Sequence, residues 1–576
     1  MKSRLYTIRL LFLIAFLLIG TLAMVLAITS LSFIIDIGIS SWQFPVSFIL
    51  TVVLYFYITE DYYKKRNIFL KSVLLSLTTI TVSILIALFF YDLSFDGQTY
   101  HMETISLLKN GWNPFSNLLV EKNHLYLYIN HYPKGLEIPQ STIYSLIGRI
   151  ESGKATNIIL LTATFCLSLA FLLNLNKLSI TKCILLSLFA VLNPITINQL
   201  ISTYVDGSMA LLFLTFLITA LFVIAKPSLE NLFLLGSIII ITANLKFNSL
   251  VYIVIFAFAF ICWVFFTKKK TLIRRALYTI IISGSFAVFI VGFFPYVKNT
   301  VDFNHPFYPL MGTEKVDIIS HNIPKTLKTK DPFGRFFTSF FSHTDNMMND
   351  HDRGAELKIP FTFNKIDIIS AGKVDTRIAG FGPLFSGIFI VSLVMFIVFL
   401  VKFEKRHLLR GFFYIIIVFI FSVAIMPDSW WARYIPQLWF IPIIILLAVE
   451  LYAKNPTRAL KFYKSIIYIA IIFNISFTFV GFGWNFMMTR LVDYQLEVLK
   501  ASEMPVKVKW GVCSTNYIRF QENNISYIET DIGFNDNVQK IVRSNNSIFL
   551  IDSTVNIPKS KLIQWAENYI EPTEKL

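Results

Sequence analysis

Residues 70–115 read LKSVLLSLTTITVSILIALFF followed by YDLSFDGQTYHMETISLLKNGWNPF. The first part, 70–90, is apolar over a length that lets a helix cross a ~30 Å hydrocarbon core. The second, from Tyr91 to Phe115, opens the first long polar stretch of the chain and sets two carboxylates, Asp92 and Asp96, where the span ends. In a lipid-embedded protein, a carboxylate at the mouth of a helix bundle is a candidate functional group by default, because an idle charge there is costly.

The pattern of 70–90 recurs along the chain. Of 576 residues, 55% are hydrophobic and 57 are Phe, and the mean hydropathy is +0.64, a composition that a soluble globular protein of this length does not tolerate. Apolar stretches of roughly 17–25 residues fall at about 9–29, 43–60, 70–90, 157–174, 181–201, 207–225, 230–245, 249–267, 274–295, 382–402, 410–427, 434–453 and 463–483. These spans, about 13 in number, predict an all-α polytopic membrane protein.

The formal net charge is +16, but the basic residues lie in short loops between spans rather than on one face of a folded domain. That argues against a nucleic-acid partner and for membrane topology. Counted alternately, one set of short loops holds Lys2, Arg4, Arg9, Lys64, Lys65, Arg66, Lys177, Lys226, Lys268 to Lys270, Arg274, Arg275, Lys402, Lys405, Arg406, Arg410, Arg458, Lys461 and Lys464. The other set has Lys246 and Arg433 as its basic residues. The positive-inside rule then predicts a multi-pass protein of the inner (cytoplasmic) membrane with its N-terminus in the cytoplasm and, after an odd number of spans, its C-terminal segment outside. The first apolar run lacks a small-residue cleavage site and reads as an uncleaved first span. Cys166, Cys183 and Cys262 fall in or beside spans and Cys513 stands alone, so no disulfide framework is expected.

Three segments exceed simple connections, about 91–156, 298–381 and 484–576, and the same topology puts all three outside. In the first, Met102, Ile105 and Leu108 share a face at helical spacing, predicting a short amphipathic helix from Gln98 to Lys109, stopped by Asn110 and Gly111 and lying along the membrane surface. The second reads as irregular and partly mobile. The third alternates strand-like runs, Ile525 to Ile528 and Ile548 to Ile551, with turns, and ends in a helix-like stretch near Lys561 to Ile570. The expected division is a membrane module over 1–483 and a small C-terminal α/β appendage over 484–576.

The block FDGQTYHMETISLLKNGWNPF, residues 95–115, resembles the first outer loop of the GT-C superfamily of glycosyltransferases, particularly those similar to the lipid A aminoarabinose transferase and the protein O-mannosyltransferases. There an Asp-Glu pair precedes a Tyr-containing surface helix that ends in a Gly-Asp-Trp-like turn and a Pro; Asp96, Tyr100, Gly111, Trp112 and Pro114 occupy those places. NHYPKGLEIPQSTIYSLIG, residues 130–148, is similar to the family's Lys-Pro-Pro segment, Asp206 to a second Asp at the outer start of a span, Lys246 to a Lys after a short span, and Arg433 with Tyr434 to a later polar turn. The matches are spread thinly over about 90–450. There are departures: the family's Glu is Gly97, Pro133-Lys134-Gly135 reverses the Lys-Pro order, and two spans rather than one precede the loop.

The resemblance implies a GT-C-like fold and an inverting membrane glycosyltransferase that moves a sugar from a polyprenyl-phosphate donor to an envelope glycan, lipid or protein on the outer face. It implies Asp96 as general base, Lys134, Lys246 and Arg433 as partners of the leaving phosphate, and Asp92, Tyr100, His101 and Asp206 as further substrate-binding residues. Each has a plainer alternative. Asp96 could cap the Gln98 helix, Asp92 could end the third span, Asp206 could cap its own span, Lys246 could snorkel, and Trp430 with Trp431 could mark the interfacial aromatic belt. Seven histidines, His101, His124, His131, His305, His321, His343 and His351, fall in two of the long loops and raise a divalent metal ion as a cofactor. No close pair such as His-x-x-x-His supplies a ligand set, and no metal ligand is assigned. Two other classes compete: an O-antigen-type polymerase or ligase, with its functional residues in a late Arg- and His-rich loop, and a lipid or polysaccharide transporter or flippase, with repeated halves and ionisable residues in mid-span.

Overall fold

A computed structural model describes the whole chain except residues 1, 60–65, 122, 347–353, 534–537, 545, 552–554, 556 and 575–576; Lys64, Lys65 and His351 therefore lie outside the described residues. Helix accounts for 68% of it and strand for 3%. This is a helical membrane protein: among the described residues, eight helices are long and apolar enough to cross a bilayer by length and composition, Ser3–Ile34, Arg66–Phe89, Ile150–Asn174, Asp206–Ala225, Phe247–Phe266, Lys270–Val291, Arg406–Ala424 and Arg458–Lys500.

The other predicted spans coincide with shorter apolar helices, Gln43–Ile58, Ile180–Val191, Leu229–Ala243, Phe385–Val401 and Pro436–Tyr452. The expected 181–201 is two helices, because Asn193 precedes Pro194, breaks the helix after Val191 and caps a new one over Pro194–Gln199 through its side chain. The helix Lys2–Ile34 is the core of the bundle, packed on Gln43–Ile58, Arg66–Phe89, Ala155–Asn174 and Leu229–Ala243. Lys270–Val291 is largely uncovered, as a helix facing lipid would be.

Polar groups gather at the two ends of the bundle. At one, Arg9 bonds Glu230 (2.5 and 2.6 Å) and Tyr55, Lys182 and Lys464 each reach Glu450 at 2.6 Å, and Arg275 bonds the Pro227 carbonyl. At the other, the segments 91–156, 201–206, 243–248 and 371–377 meet. Arg9, Arg275 and Lys464 of the one set of short loops stand at the first end, and Lys246 and Arg433 of the other set at the second.

Several sequence expectations are corrected. The Met102–Lys109 helix exists, entered through a π turn over Gly97–His101 and ended at Asn110 and Gly111. It is not a surface helix: Met102, Ile105 and Leu108 are buried, the first two against Tyr144, Ile150 and Ile518 of the C-terminal segment. The 298–381 segment contains ordered short helices, among them Pro332–Phe340 and Lys365–Ala371, the latter held by a capping box between Asn364 and Asp367. The boundary at 484 falls inside a continuous helix, Val480–Lys500.

Beyond that helix lies a four-stranded sheet of β1 (Val506–Lys509), β2 (Tyr527–Glu529), β3 (Gln539–Lys540) and β4 (Ile548–Leu550), in the order β2-β1-β4-β3. β1 runs parallel to β2 and antiparallel to β4. The strand-like runs at 525–528 and 548–551 correspond to β2 and β4, and the terminal helix covers Lys561–Ala566. None of the four cysteines forms a disulfide.

Candidate functional site

Asp96 sits at the entry to the Gly97–His101 π turn, and its side chain makes no capping hydrogen bond. It turns instead toward Arg433, whose Nη1 donates to Asp96 Oδ2 at 3.3 Å. The same Nη1 lies 3.3 Å from Asp375 Oδ1 and 3.7 Å from Asp206 Oδ2. Lys246 Nζ donates to Asp206 Oδ1 at 2.8 Å, and Arg377 bonds Asp375. Three carboxylates and three cations thus form one chain, Lys246–Asp206–Arg433–Asp375–Arg377 with Asp96 branching from Arg433. Burial opposes the Arg433 charge, but Asp375, Asp206 and Asp96 together hold it firmly protonated.

The start of the π turn packs closely on Asp92 and Ser94. A Cβ at position 97 would stand 2.3 Å from Asp92 Oδ2 and 2.4 Å from Ser94 Oγ, so only glycine fits. Asp92 fills that space because its carboxylate is saturated: Ser94 donates to Oδ1 from N (2.9 Å) and Oγ (2.5 Å), and Thr203 donates to Oδ2 from N and Oγ1, both 2.7 Å. Asp92 is a clasp between the first long loop and the turn before Asp206, with no lone pair left over for a reacting group.

Two cavities flank this network. The smaller, ≈ 200 Å³, is walled by Asp96, Lys246, Arg433 and a set of aromatic rings that includes Tyr100, Tyr128, Tyr132 and Tyr434. The larger, ≈ 650 Å³, is polar and lies under the C-terminal segment, which contributes Lys540, Arg543 and Ser544 to its wall. Phe95 and Asp375 line both. Burial pushes the Tyr100 and Tyr132 phenols far up and that of Tyr128 up to about 12, so these walls offer neutral hydroxyls. Of the three linked carboxylates Asp96 is the most open, its side chain 17% exposed against 8% for Asp375 and 2% for Asp206.

The other expected site residues divide. Tyr100, Lys246 and Arg433 line the small cavity; Lys246 lies over the Tyr434 ring at 4.4 Å and Arg433 over Trp431 at 4.4 Å. Asp206 holds Lys246 from behind. His101 stands one layer back, its Nδ1 2.9 Å from Glu137 Oε1 and its ring against Tyr100. Lys134 lines neither cavity: it donates to the Tyr132 carbonyl (2.7 Å) and the Tyr128 carbonyl (3.3 Å), and burial pushes it down to about 8. It ties down the loop that carries two of the tyrosines. Trp430 and Trp431 are buried at 1% and 2% exposure rather than forming a belt at the lipid interface, and Trp431 carries Arg377 and Arg433 on its faces.

Sequence reasoning missed Asp375, Arg377, Tyr128 and Tyr132. The Asp-Thr-Arg triplet at 375–377 was the available signal, opposite charges flanking Thr376, whose φ of 41° is unusual for a β-branched residue. Among the described residues, no group of three His, Cys, Asp or Glu is placed to hold a metal ion; at the junction of the carboxylates stands the Arg433 guanidinium. No family model matches the chain, and no curated protein matches it.

Proposed function

We propose that the protein is a membrane glycosyltransferase of GT-C type, transferring a sugar from a polyprenyl-phosphate donor to an envelope acceptor, with Asp96 as general base. The observation that carries this reading is the placement of Asp96: free of any capping role, in the wall of the smaller cavity next to Phe95, which lines both cavities, and beside an arginine whose Nε has no hydrogen-bond acceptor among the described residues. In this reading the donor phosphate occupies the small aromatic cavity, near the lipid, and is met by Lys246 and the unused donors of Arg433. The acceptor hydroxyl approaches from the larger cavity.

The acceptor oxygen attacks the anomeric carbon, its proton passes to the Asp96 carboxylate, the bond from that carbon to the phosphate oxygen breaks, and the lipid phosphate leaves as an anion. One displacement inverts the centre. Proton transfer to a positioned carboxylate is worth ~100- to 10,000-fold, and fixed cations in a dry cleft stabilise the leaving charge more strongly than water does. The reading places the site on the outer face of the inner membrane, with about 13 crossings, the five shorter apolar helices completing the count by tilting or thinning the bilayer locally.

The test uses purified parent and Asp96→Asn with a panel of radiolabelled polyprenyl-phosphate sugars and envelope fractions as acceptor. Transfer by the parent and a loss of at least ~100-fold in the variant is expected. Equal transfer by the two proteins overturns the role of Asp96, and failure of the parent across the panel overturns the transferase reading in favour of a polymerase or a transporter.

A further inference from the structure

The larger cavity carries more information than its size. Lys373 and Arg543 stand in its wall, and among the described residues neither forms an ion pair, while the Glu574 carboxylate in the same wall is near enough to feel the Arg543 charge. Lys540, their neighbour on the same wall, is neutralised by Glu571 at 2.6 Å. The Lys373 ammonium rests over the Trp484 ring at 5.0 Å, a soft contact that leaves its N–H groups free to donate. Arg543 has φ 56°, and its backbone is pinned on both sides: its N–H donates to Glu574 Oε1 at 3.0 Å and its carbonyl accepts from Gln98 Nε2 at 3.0 Å. Two hydrogen bonds thus hold the backbone of this exposed arginine in the left-handed region.

The wall beside Lys373 supplies acceptors. Asn198 and Asn346 donate through Nδ2 to the carbonyls of Ala371 (2.8 Å) and Ser370 (3.0 Å), just before Lys373, while the Oδ1 of each is buried with no hydrogen-bond partner among the described residues. Ser544 Oγ, beside Arg543, likewise has none among them. Buried polar atoms without partners are costly, and a polyhydroxylated ligand supplies hydroxyl donors to satisfy them.

We propose that the larger cavity binds an anionic polyol, a sugar or glycerol unit bearing a carboxylate or a phosphate, with its charge on Lys373 and Arg543 and its hydroxyls toward Asn198, Asn346 and Ser544. On the transferase reading, on which this assignment of role rests, that unit belongs to the acceptor, and the shared wall of Phe95 and Asp375 sets its reacting hydroxyl toward Asp96. The two cations reinforce one another as an anion site: Lys373 is pushed down to about 8 by burial and by the nearby Arg543 charge, a field that an arriving anion relieves.

The experiment measures binding directly, by calorimetric titration of the full-length chain in lipid nanodiscs with glucuronate and with glycerol 3-phosphate, using glucose and glycerol as neutral controls. At least one anion is expected to bind ten-fold or more tightly than its neutral counterpart, and which one does so distinguishes carboxylate from phosphate. Lys373→Gln and Arg543→Gln are each expected to abolish that preference, Lys373→Arg to keep it, and Asp96→Asn to bind as the parent does. Thermal unfolding of each variant establishes that it is folded. Anions binding no better than neutral polyols, or both Gln variants binding as the parent does, overturns the proposal. Binding as expected together with undiminished transfer by Asp96→Asn would leave the anion site standing and remove Asp96 as base.

Discussion

At the scale of single residues the site depends on one guanidinium and one missing side chain. Arg433 meets three carboxylates through a single nitrogen at 3.3–3.7 Å, so it balances their charge without being locked to any of them. Removing it leaves Asp96, Asp206 and Asp375 crowded and undercompensated; Arg433→Gln is expected to cost ~3–5 kcal/mol, as loss of one partner from a buried ion cluster does, read by thermal or denaturant unfolding. Arg433→Lys keeps the charge but not the planar fork, so it is expected to recover most of that stability while transfer stays depressed; full recovery of transfer would mean that the fork is not used. Gly97 is the second point. Gly97→Ala drives a methyl group into the Asp92 clasp and is expected to destabilise by ~1–3 kcal/mol, as overpacking does, with transfer falling further than stability because the π turn carrying Asp96 must open. Gly97 was legible as a departure from the family pattern, but its reason was not: the clash is with a side chain whose position depends on Thr203, over a hundred residues away in the chain.

At the scale of elements, the C-terminal segment is a structural partner of the first long loop. Arg519, buried on its helix Asn516–Glu522, donates to Glu151 Oε1 (2.8 and 3.1 Å) and to the Asp92 carbonyl (2.6 Å), while Thr515 and Asn516 bond the Gln98 carbonyl and side chain at 2.6 and 3.2 Å. These bonds hold the turn on both sides of Asp96. Arg519→Met is expected to cost ~3–5 kcal/mol, since buried Glu151 then keeps one of its two cations, Lys154, beside the Asp92 N–H, and to speed protease cleavage after residue 500 in the folded protein; unchanged cleavage would show the segment docking without this clamp. A second element contact responds to acid. His131 Nδ1 donates to Asn299 Oδ1 at 2.9 Å, its ring packs edge-on to Phe303 and Tyr308, and burial pushes it down to about 4. The folded state therefore holds fewer protons than the unfolded one between about pH 6.5 and 4, so stability falls as pH drops through that window, by up to ~3 kcal/mol at its lower end. His131→Gln should flatten this part of the stability–pH curve measured by chemical denaturation, and an unchanged slope would place the acid sensitivity elsewhere. The sequence showed His131 as one of seven scattered histidines; nothing in spacing distinguishes a packing imidazole from a ligand.

At the scale of the whole molecule, what could be read from sequence was what depends on local composition. Apolar length located the eight span-length helices and the five shorter apolar helices found among the described residues, while tertiary contacts decided that Met102–Lys109 is covered rather than lipid-facing, that Asn193-Pro194 splits a span, and that Asp375 and Arg377 complete a charge network with residues of four other segments. The alternation of basic loops carries a further consequence. The short loops that include Arg9, Arg275 and Lys464 hold most of the loop cations, whereas the short loops at the Asp96 end hold Lys246 and Arg433. An excess of Lys and Arg in short loops stays on the cytoplasmic side, so the Asp96 end is expected outside. Val120, 87% exposed in the first long loop, and Lys269, exposed in the connection before Lys270–Val291, mark the two ends. In intact cells a membrane-impermeant maleimide is expected to label Val120→Cys at once and Lys269→Cys after permeabilisation, against a background kept low because three of the four native cysteines are buried. The reverse pattern would put Asp96 and both cavities in the cytoplasm, where a donor presented on the outer leaflet could not reach them.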